Sequence, residues 1–247
     1  MTEHAQLEGK TVLVTGGARR LGRLLSLTLA KAGVNVVIHH ANSSQAAEET
    51  AREVRALGCK AWVIQADFAD PLAVEGLVAK VSNLASLWLY AVIHNASIFE
   101  PLELAATSLE DWQRNMNINL TAPFLISRDF AAQLPAGETG RILTMLDWRS
   151  LRPGADHFPY TISKAGLAAM TRSLAAALAP RITVNGLALG AILPAAGDKA
   201  PEKAIRDVPM GRWADLDEVS RAALFLLDGP TYITGEILHL DGGRHLI

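Results

Sequence analysis

The 247-residue chain has a single cysteine, Cys59, and no grouping of cysteine and histidine at metal-ligand spacing. A lone thiol forms no internal disulfide, so the expectation is a reducing, cytoplasmic setting with no structural zinc, and Cys59 reads as a small buried hydrophobe. An excess of one charge is also lacking: 25 acidic side chains face 23 basic ones, for a formal net charge of -2. That balance offers no field to recruit nucleic acid or an anionic membrane surface. The longest apolar runs, Leu87 to Ile93 and Gly186 to Ala196, fall well short of the ~20 residues that a spanning helix needs. Met1 to Glu8 has neither the basic start nor the apolar stretch of an export signal and reads as a polar lead-in. No Pro/Ser/Gly linker, fixed-period repeat or low-complexity stretch divides the chain. The expectation is one domain over residues 1–247, with small molecules or other protein chains as partners.

What the chain does have is alternation. Thr11 to Val14 is a short β-branched run, followed by a glycine-bearing turn and then Leu21 to Ala32 in helical spacing. Val34 to Ile38, Ala61 to Ile64, Leu87 to Ile93, Arg141 to Leu146, Ile182 to Asn185 and Ile237 to Leu240 repeat the strand-like pattern, with Ala-, Leu-, Glu- and Arg-rich helical stretches between them. These runs are nearly continuously apolar, which means that both sheet faces are covered. The fold class expected is α/β, a single doubly wound domain with a seven-stranded parallel sheet flanked by helices. The segment of about 187–212 has no clear period and follows a strand's C-terminal end, so it reads as a substrate loop.

After the first strand, Thr15-Gly16-Gly17-Ala18-Arg19-Arg20-Leu21-Gly22 opens directly into a helix. A glycine turn there lets backbone approach a pyrophosphate, whose charge is favoured by the helix N-terminus. The second strand ends in His39-His40-Ala41-Asn42-Ser43-Ser44, with no acid to bind a ribose 2′-hydroxyl. His40, Asn42 and Ser43 can donate to a 2′-phosphate and Arg19 can add charge, which favours NADPH over NADH. Asp67-Phe68 after the third strand and Asn95-Ala96-Ser97 after the fourth continue the same cofactor edge.

Tyr160 and Lys164 stand four apart near the start of a helical stretch from about Pro159 to Ala179. That spacing puts phenol and ammonium on one face, where the cation is expected to lower the tyrosine's pKa towards use as an acid.

Thr15-Gly16 with Gly22, Asn95-Ala96, Asn119 in Asn117-Ile118-Asn119-Leu120, Tyr160 with Lys164, Val184-Asn185 and Asp241-Gly242-Gly243 occur in an order and spacing that resemble the short-chain dehydrogenase/reductase family from Gly9 to the C-terminus. The resemblance implies Tyr160 as proton donor and Lys164 as the residue that holds the nicotinamide ribose and tunes Tyr160. It implies Asn119 as a helix-distorting residue that anchors a water between Lys164 and solvent, and a homotetramer as the assembly. It adds Leu21 and Gly190 to the cofactor contacts.

Two departures narrow the resemblance. Thirteen residues before Tyr160, where most members carry a serine that orients a carbonyl, this chain has Asp147. A carboxylate there repels charge developing on a carbonyl oxygen but suits a basic ring nitrogen. The middle glycine of the usual turn is Arg20. These exchanges, with Phe99 after the fourth strand, Val208-Pro209-Met210-Gly211-Arg212 and the ending Asp241-Gly242-Gly243-Arg244-His245-Leu246, resemble pteridine reductases and dihydromonapterin reductases. That branch implies a pterin between the nicotinamide and Phe99, with Ser97 and Arg20 on its polar edge and Asp147 and Tyr160 as proton donors. Trp148 and Trp213 read as pocket lining or loop packing, and His245 as a residue reaching a neighbouring subunit. The alternatives are an NADPH-dependent reductase of another carbonyl or imine, or a non-catalytic NADPH-binding protein.

Overall fold

The computed structural model describes residues 6–85, 88–194 and 202–247. Seven strands form one sheet in the order β3-β2-β1-β4-β5-β6-β7: β1 (Thr11–Val14), β2 (Asn35–His40), β3 (Ala61–Gln65), β4 (Ala91–His94), β5 (Gly140–Asp147), β6 (Ile182–Leu189) and β7 (Ile237–Leu240). Every pairing is parallel. The strands alternate between two cores. Val12, Val14, Val36, Ile38 and Ile93 pack under α1 (Arg20–Lys31), α2 (Ser44–Ala56) and α8 (Leu216–Asp228). Leu13, Val37, Val92, Ile142 and Val184 pack against α3 (Pro71–Val74), α4 (Leu77–Ala85), α6 (Ala122–Gln133) and α7 (Phe158–Leu178). Both faces are therefore covered, as the continuous apolar runs require.

Chain order reverses at β1, which pairs with β2 on one side and with β4 on the other. The loops after β1 and β4 diverge there, opening a crevice at the strands' C-terminal ends. Five strands run past their sequence-based ends, β3 and β4 by one residue each, to Gln65 and His94. β2 carries on through His39 and His40, and β5 and β6 pair down to Asp147 opposite Leu189. A parallel neighbour on one side, β3 for the end of β2 and β6 for the end of β5, carries the ladder through polar residues, and this delivers Asp147 to the sheet's rim. Of the expected substrate loop, 187–189 belong to β6, and residues 195–201 lie outside the described residues, as do residues 1–5 and Leu87. Between α5 (Leu109–Met116) and α6 the helix is wound in π fashion over Asn117–Thr121.

Candidate active site

The turn after β1 is braced from three sides. Gly22 comes so close to the Gly16 carbonyl that a Cβ would sit 1.9 Å from its oxygen, so no other residue fits. Thr15 Oγ1 accepts the backbone N–H groups of Asn95 and Ala96 at 2.9 and 3.0 Å. The Asn95 amide returns to the carbonyls of Thr15 and Gly16. From β2, His39 Nδ1 accepts the Gly16 N–H at 3.0 Å while its Nε2 donates to the Ala66 carbonyl at 2.9 Å. This fixes one tautomer. Burial pushes the imidazole pKa down to about 4, so it stays neutral and remains an acceptor. His39 was not singled out in the sequence, where it read as the end of a strand.

Arg20 occupies the position of the missing glycine and takes the left-handed conformation, with φ +50°. Its guanidinium donates to the Pro194 carbonyl, which ties the turn to the segment after β6. That bond uses one of the guanidinium's five N–H donors.

Asp147, at the end of β5, caps the short 3-10 turn Trp148–Ser150 by accepting the Arg149 N–H at 2.8 Å. Its other oxygen accepts the Tyr160 hydroxyl at 3.1 Å. Tyr160 and Lys164 project from the first turns of α7 and are 6% and 3% exposed. Lys164 donates to the Met145 carbonyl at 2.8 Å, and its Nζ lies 5.9 Å from the centre of the Tyr160 ring. The expected acidification of Tyr160 is overturned. Burial first, then the charge and hydrogen bond of Asp147, hold its hydroxyl well above the ordinary tyrosine range, and Arg149 opposes them only in part. Burial also brings Lys164 down to about 8. The tyrosine therefore keeps its proton and shares it with a carboxylate.

Asn119 lies in the π turn, fully buried. Its Oδ1 accepts from the Ile98 N–H at 3.0 Å and from Ser97 Oγ at 3.1 Å, and its Nδ2 donates to Ser163 Oγ at 3.0 Å. Ser163 donates on to the Tyr160 carbonyl at 2.7 Å. Asn119 thus ties the loop after β4 to the Tyr160 helix, and Ser97's hydroxyl is committed to it.

Phe99 is half exposed, which excludes a core role. One face is covered by His157, stacked 3.8 Å away, and its ring meets Tyr160 edge-on at 4.7 Å. The Arg149 guanidinium lies over the same ring, 5.8 Å from its centre, and His157 closes one face to a flat ligand. His157, unforeseen in the sequence, is held by its Nδ1 on the Glu100 carbonyl at 2.8 Å.

A cleft of about 880 Å³ brings these groups together. Of the expected site residues it is lined by Gly16, Arg19, Arg20, Leu21, Gly22, Asn95, Ala96, Ser97, Phe99, Asp147, Tyr160, Lys164 and Gly190. Trp148 and Trp213 line it as well. A Cβ at Gly190 would come within 2.6 Å of the Asp241 Cα, so this wall admits only glycine. His40, Asn42, Ser43, Asp67 and Phe68 lie outside it, around the ends of β2 and β3. The Phe68 ring is buried and stacked on His39 at 4.0 Å. His40 is buried too, and its Nδ1 has no hydrogen-bond partner among the described residues. His245 folds back on its own chain, with Nδ1 2.9 Å from Asp241 and its ring stacked on His239. Among the described residues no group of side chains could hold a metal ion, and no helix is long and apolar enough to cross a membrane.

Comparison with known proteins agrees with this geometry. Residues 16–245 match the family model described as enoyl-(acyl carrier protein) reductase. The 3-oxoacyl-[acyl-carrier-protein] reductase of Synechocystis is 31% identical over 241 residues, spanning 96% of this chain and 97% of the relative. That of Aquifex aeolicus is 31% identical over 245 residues, spanning 96% and 98%. Among solved structures, FolM alternative dihydrofolate reductase 1 from Brucella suis in complex with NADP is 34% identical over 96% of both chains, with a TM-score of 0.89. A short chain dehydrogenase from Burkholderia cenocepacia, also in complex with NADP, is 35% identical over 96% of this chain and 98% of that one, with a TM-score of 0.88. The chain belongs to the short-chain dehydrogenase/reductase family.

Proposed function

We propose that the chain is an NADPH-dependent reductase of dihydropterins, forming tetrahydropterins, and that the hydrogen bond from Tyr160 to Asp147 carries this reading. The residues fit the cofactor. Gly16 and Gly22 clear the approach to the N-terminus of α1, Arg19 and Arg20 are exposed beside it, and β2 ends without a carboxylate. His40, with its unpartnered buried nitrogen, together with Asn42 and Ser43, suits a 2′-phosphate, and Asp67 and Phe68 border the adenine end. Two solved relatives carrying NADP support the same choice. A bound reduced nicotinamide supplies hydride.

The chain's own residues handle charge and protons. Lys164, buried and cationic below about pH 8, holds the ribose and faces Tyr160. Tyr160 retains its proton at neutral pH and directs it to Asp147. Reduction of a ring C=N bond leaves a nitrogen that must be protonated, and a phenol shared with a carboxylate serves that need. Asp147 also accepts from N–H groups on a heterocycle's edge. At a ketone, the same carboxylate opposes the developing oxyanion. Phe99, half exposed beside Tyr160, offers aromatic surface to a planar substrate.

A second reading, reduction of a 3-oxoacyl thioester, is favoured by the names of the curated relatives. Purified protein with NADPH should oxidise the cofactor in the presence of 7,8-dihydromonapterin or 7,8-dihydrobiopterin. Turnover of acetoacetyl thioesters with none across the pterins sinks the first reading in favour of the second.

A further inference from the structure

The whole chain is slightly acidic, yet the cleft is not: its walls carry Arg19, Arg20, Arg149, Lys164, Lys203 and Arg244 against the carboxylates of Asp147 and Asp156. Most of these cations already have employment. Arg19 and Arg20 stand at the N-terminus of α1, Lys164 is buried on the Met145 carbonyl, and Arg149 pairs with Asp156 at 2.8 Å. Arg244 and Lys203 remain, and among the described residues neither has a carboxylate within ion-pair distance.

Arg244 is held in place without being neutralised. Its Nη1 donates to the Ala204 carbonyl at 2.9 Å, and its guanidinium lies 4.4 Å over the Trp148 ring. The same ring has a second guanidinium contact, Arg149 at 4.7 Å. Trp148 follows Asp147 directly in the chain, so the Arg244 guanidinium rests on the residue next to that carboxylate, and both line the cleft. A guanidinium carries five N–H donors and only one is assigned here, so a planar fork stays available for an anion. Lys203 adjoins the residue whose carbonyl holds that fork. The cation–π contact and the bond to Ala204 hold the guanidinium in place in advance, which reduces the ordering cost of binding.

Resting on the dihydropterin reading, we propose that Arg244, supported by Lys203, is an anion subsite at the substrate end of the cleft, and that the preferred substrate carries a carboxylate on the tail of its reducible ring. A folate-type side chain has that chemistry, whereas a polyol side chain does not. Arg244 is then a specificity-determining residue, separate from the proton-handling pair.

The test compares 7,8-dihydrofolate with the neutral 7,8-dihydrobiopterin in the wild type, in Arg244→Gln and Lys203→Gln, and in Arg206→Gln as a control on an exposed side chain outside the cleft. The expected result is a wild-type preference for dihydrofolate in kcat/KM, and a loss of that preference by about tenfold in Arg244→Gln, through KM, since about 1.4 kcal/mol corresponds to a factor of ten. Lys203→Gln should lose less, and Arg206→Gln nothing. NADPH binding, followed by its fluorescence, should be the same in wild type and Arg244→Gln. Equal use of the two pterins by the wild type, or an equal drop for both in Arg244→Gln, overturns the subsite and leaves the pterin reading standing. Turnover of neither pterin overturns both.

Discussion

Tyr160 donates its hydroxyl to Asp147 Oδ2 at 3.1 Å, and this bond joins the end of a central strand to the first turn of α7. It reverses the usual expectation for a tyrosine near a lysine. The nearest charge to the phenol is negative, and the lysine that would counter it is itself committed to a carbonyl. The pair holds a proton where a lone, acidified tyrosine would tend to release one. The first prediction follows directly: Asp147→Asn removes the carboxylate's charge and brings the Tyr160 pKa down. Ultraviolet difference titration of the phenol, with Tyr160→Phe as the blank, measures this. An unchanged or higher midpoint contradicts the assignment.

Lys164 sets the alkaline limit. Burial lowers its pKa to about 8 from 10.5, so the free enzyme loses this cation as pH rises through about 8. kcat/KM for NADPH, which reports the free enzyme, should fall above that point. The stability sign is opposite. Between about 8 and 10.5 the unfolded chain binds the proton that the native lysine has released, so this group's contribution to stability grows with pH there. A pH series of urea melts beside the kinetic profile checks both limbs.

His39 supports the glycine turn only as a neutral imidazole. Its folded pKa of about 4 lies below the ordinary 6.5 because burial and the neighbouring His40 outweigh its hydrogen bond to Ala66 and the opposing charge of Asp67. The unfolded chain therefore takes up a proton that the native state refuses, and stability falls as pH drops from about 6.5 towards 4. His94, lowered to about 3 by burial and by Lys164, adds to the same trend. His39→Leu strands the Gly16 N–H and the Ala66 carbonyl, at about 1–3 kcal/mol for each unsatisfied group. It should weaken NADPH binding and flatten the acid limb. Denaturant melts at pH 7 and 5 with NADPH titrations decide it, and an unaltered NADPH affinity contradicts the brace.

Arg20 carries a φ of +50°, a conformation that costs a side-chain-bearing residue about 1–2 kcal/mol. Two variants separate that strain from the guanidinium's bond to Pro194. Arg20→Ala and Arg20→Gly both lose the bond, and only the glycine relieves the backbone. Arg20→Gly should be the more stable of the two by about 1 kcal/mol, with equal NADPH affinities. Equal melting temperatures contradict the strain.

The sheet was legible because it is written locally. Short β-branched runs followed by glycine turns and helical spacing give β1 with α1, and Tyr160 with Lys164 needs only one turn of helix. Contacts between distant residues were not legible. The link from Arg20 to Pro194 crosses 174 positions, and the stack of Phe99 on His157 joins two loops. His39 is hidden because the polar ending of β2 resembles a strand terminus, whereas β3 carries the pairing through it. The Tyr160 pKa went the wrong way for a related reason. Spacing identifies the nearby lysine but says nothing of burial or of a carboxylate thirteen residues earlier, and these two dominate.

The central claim is that Asp147 selects a ring nitrogen over a ketone. The most direct measurement is the ratio of kcat/KM for 7,8-dihydromonapterin to that for acetoacetyl-CoA, in wild type and in Asp147→Ser. The account predicts a wild-type ratio in favour of the pterin. In Asp147→Ser that ratio falls by about 100-fold, the lower range for loss of a residue that takes part in general acid–base catalysis, while NADPH binds as before. A wild-type ratio in favour of the thioester, or one that Asp147→Ser leaves unchanged, contradicts it.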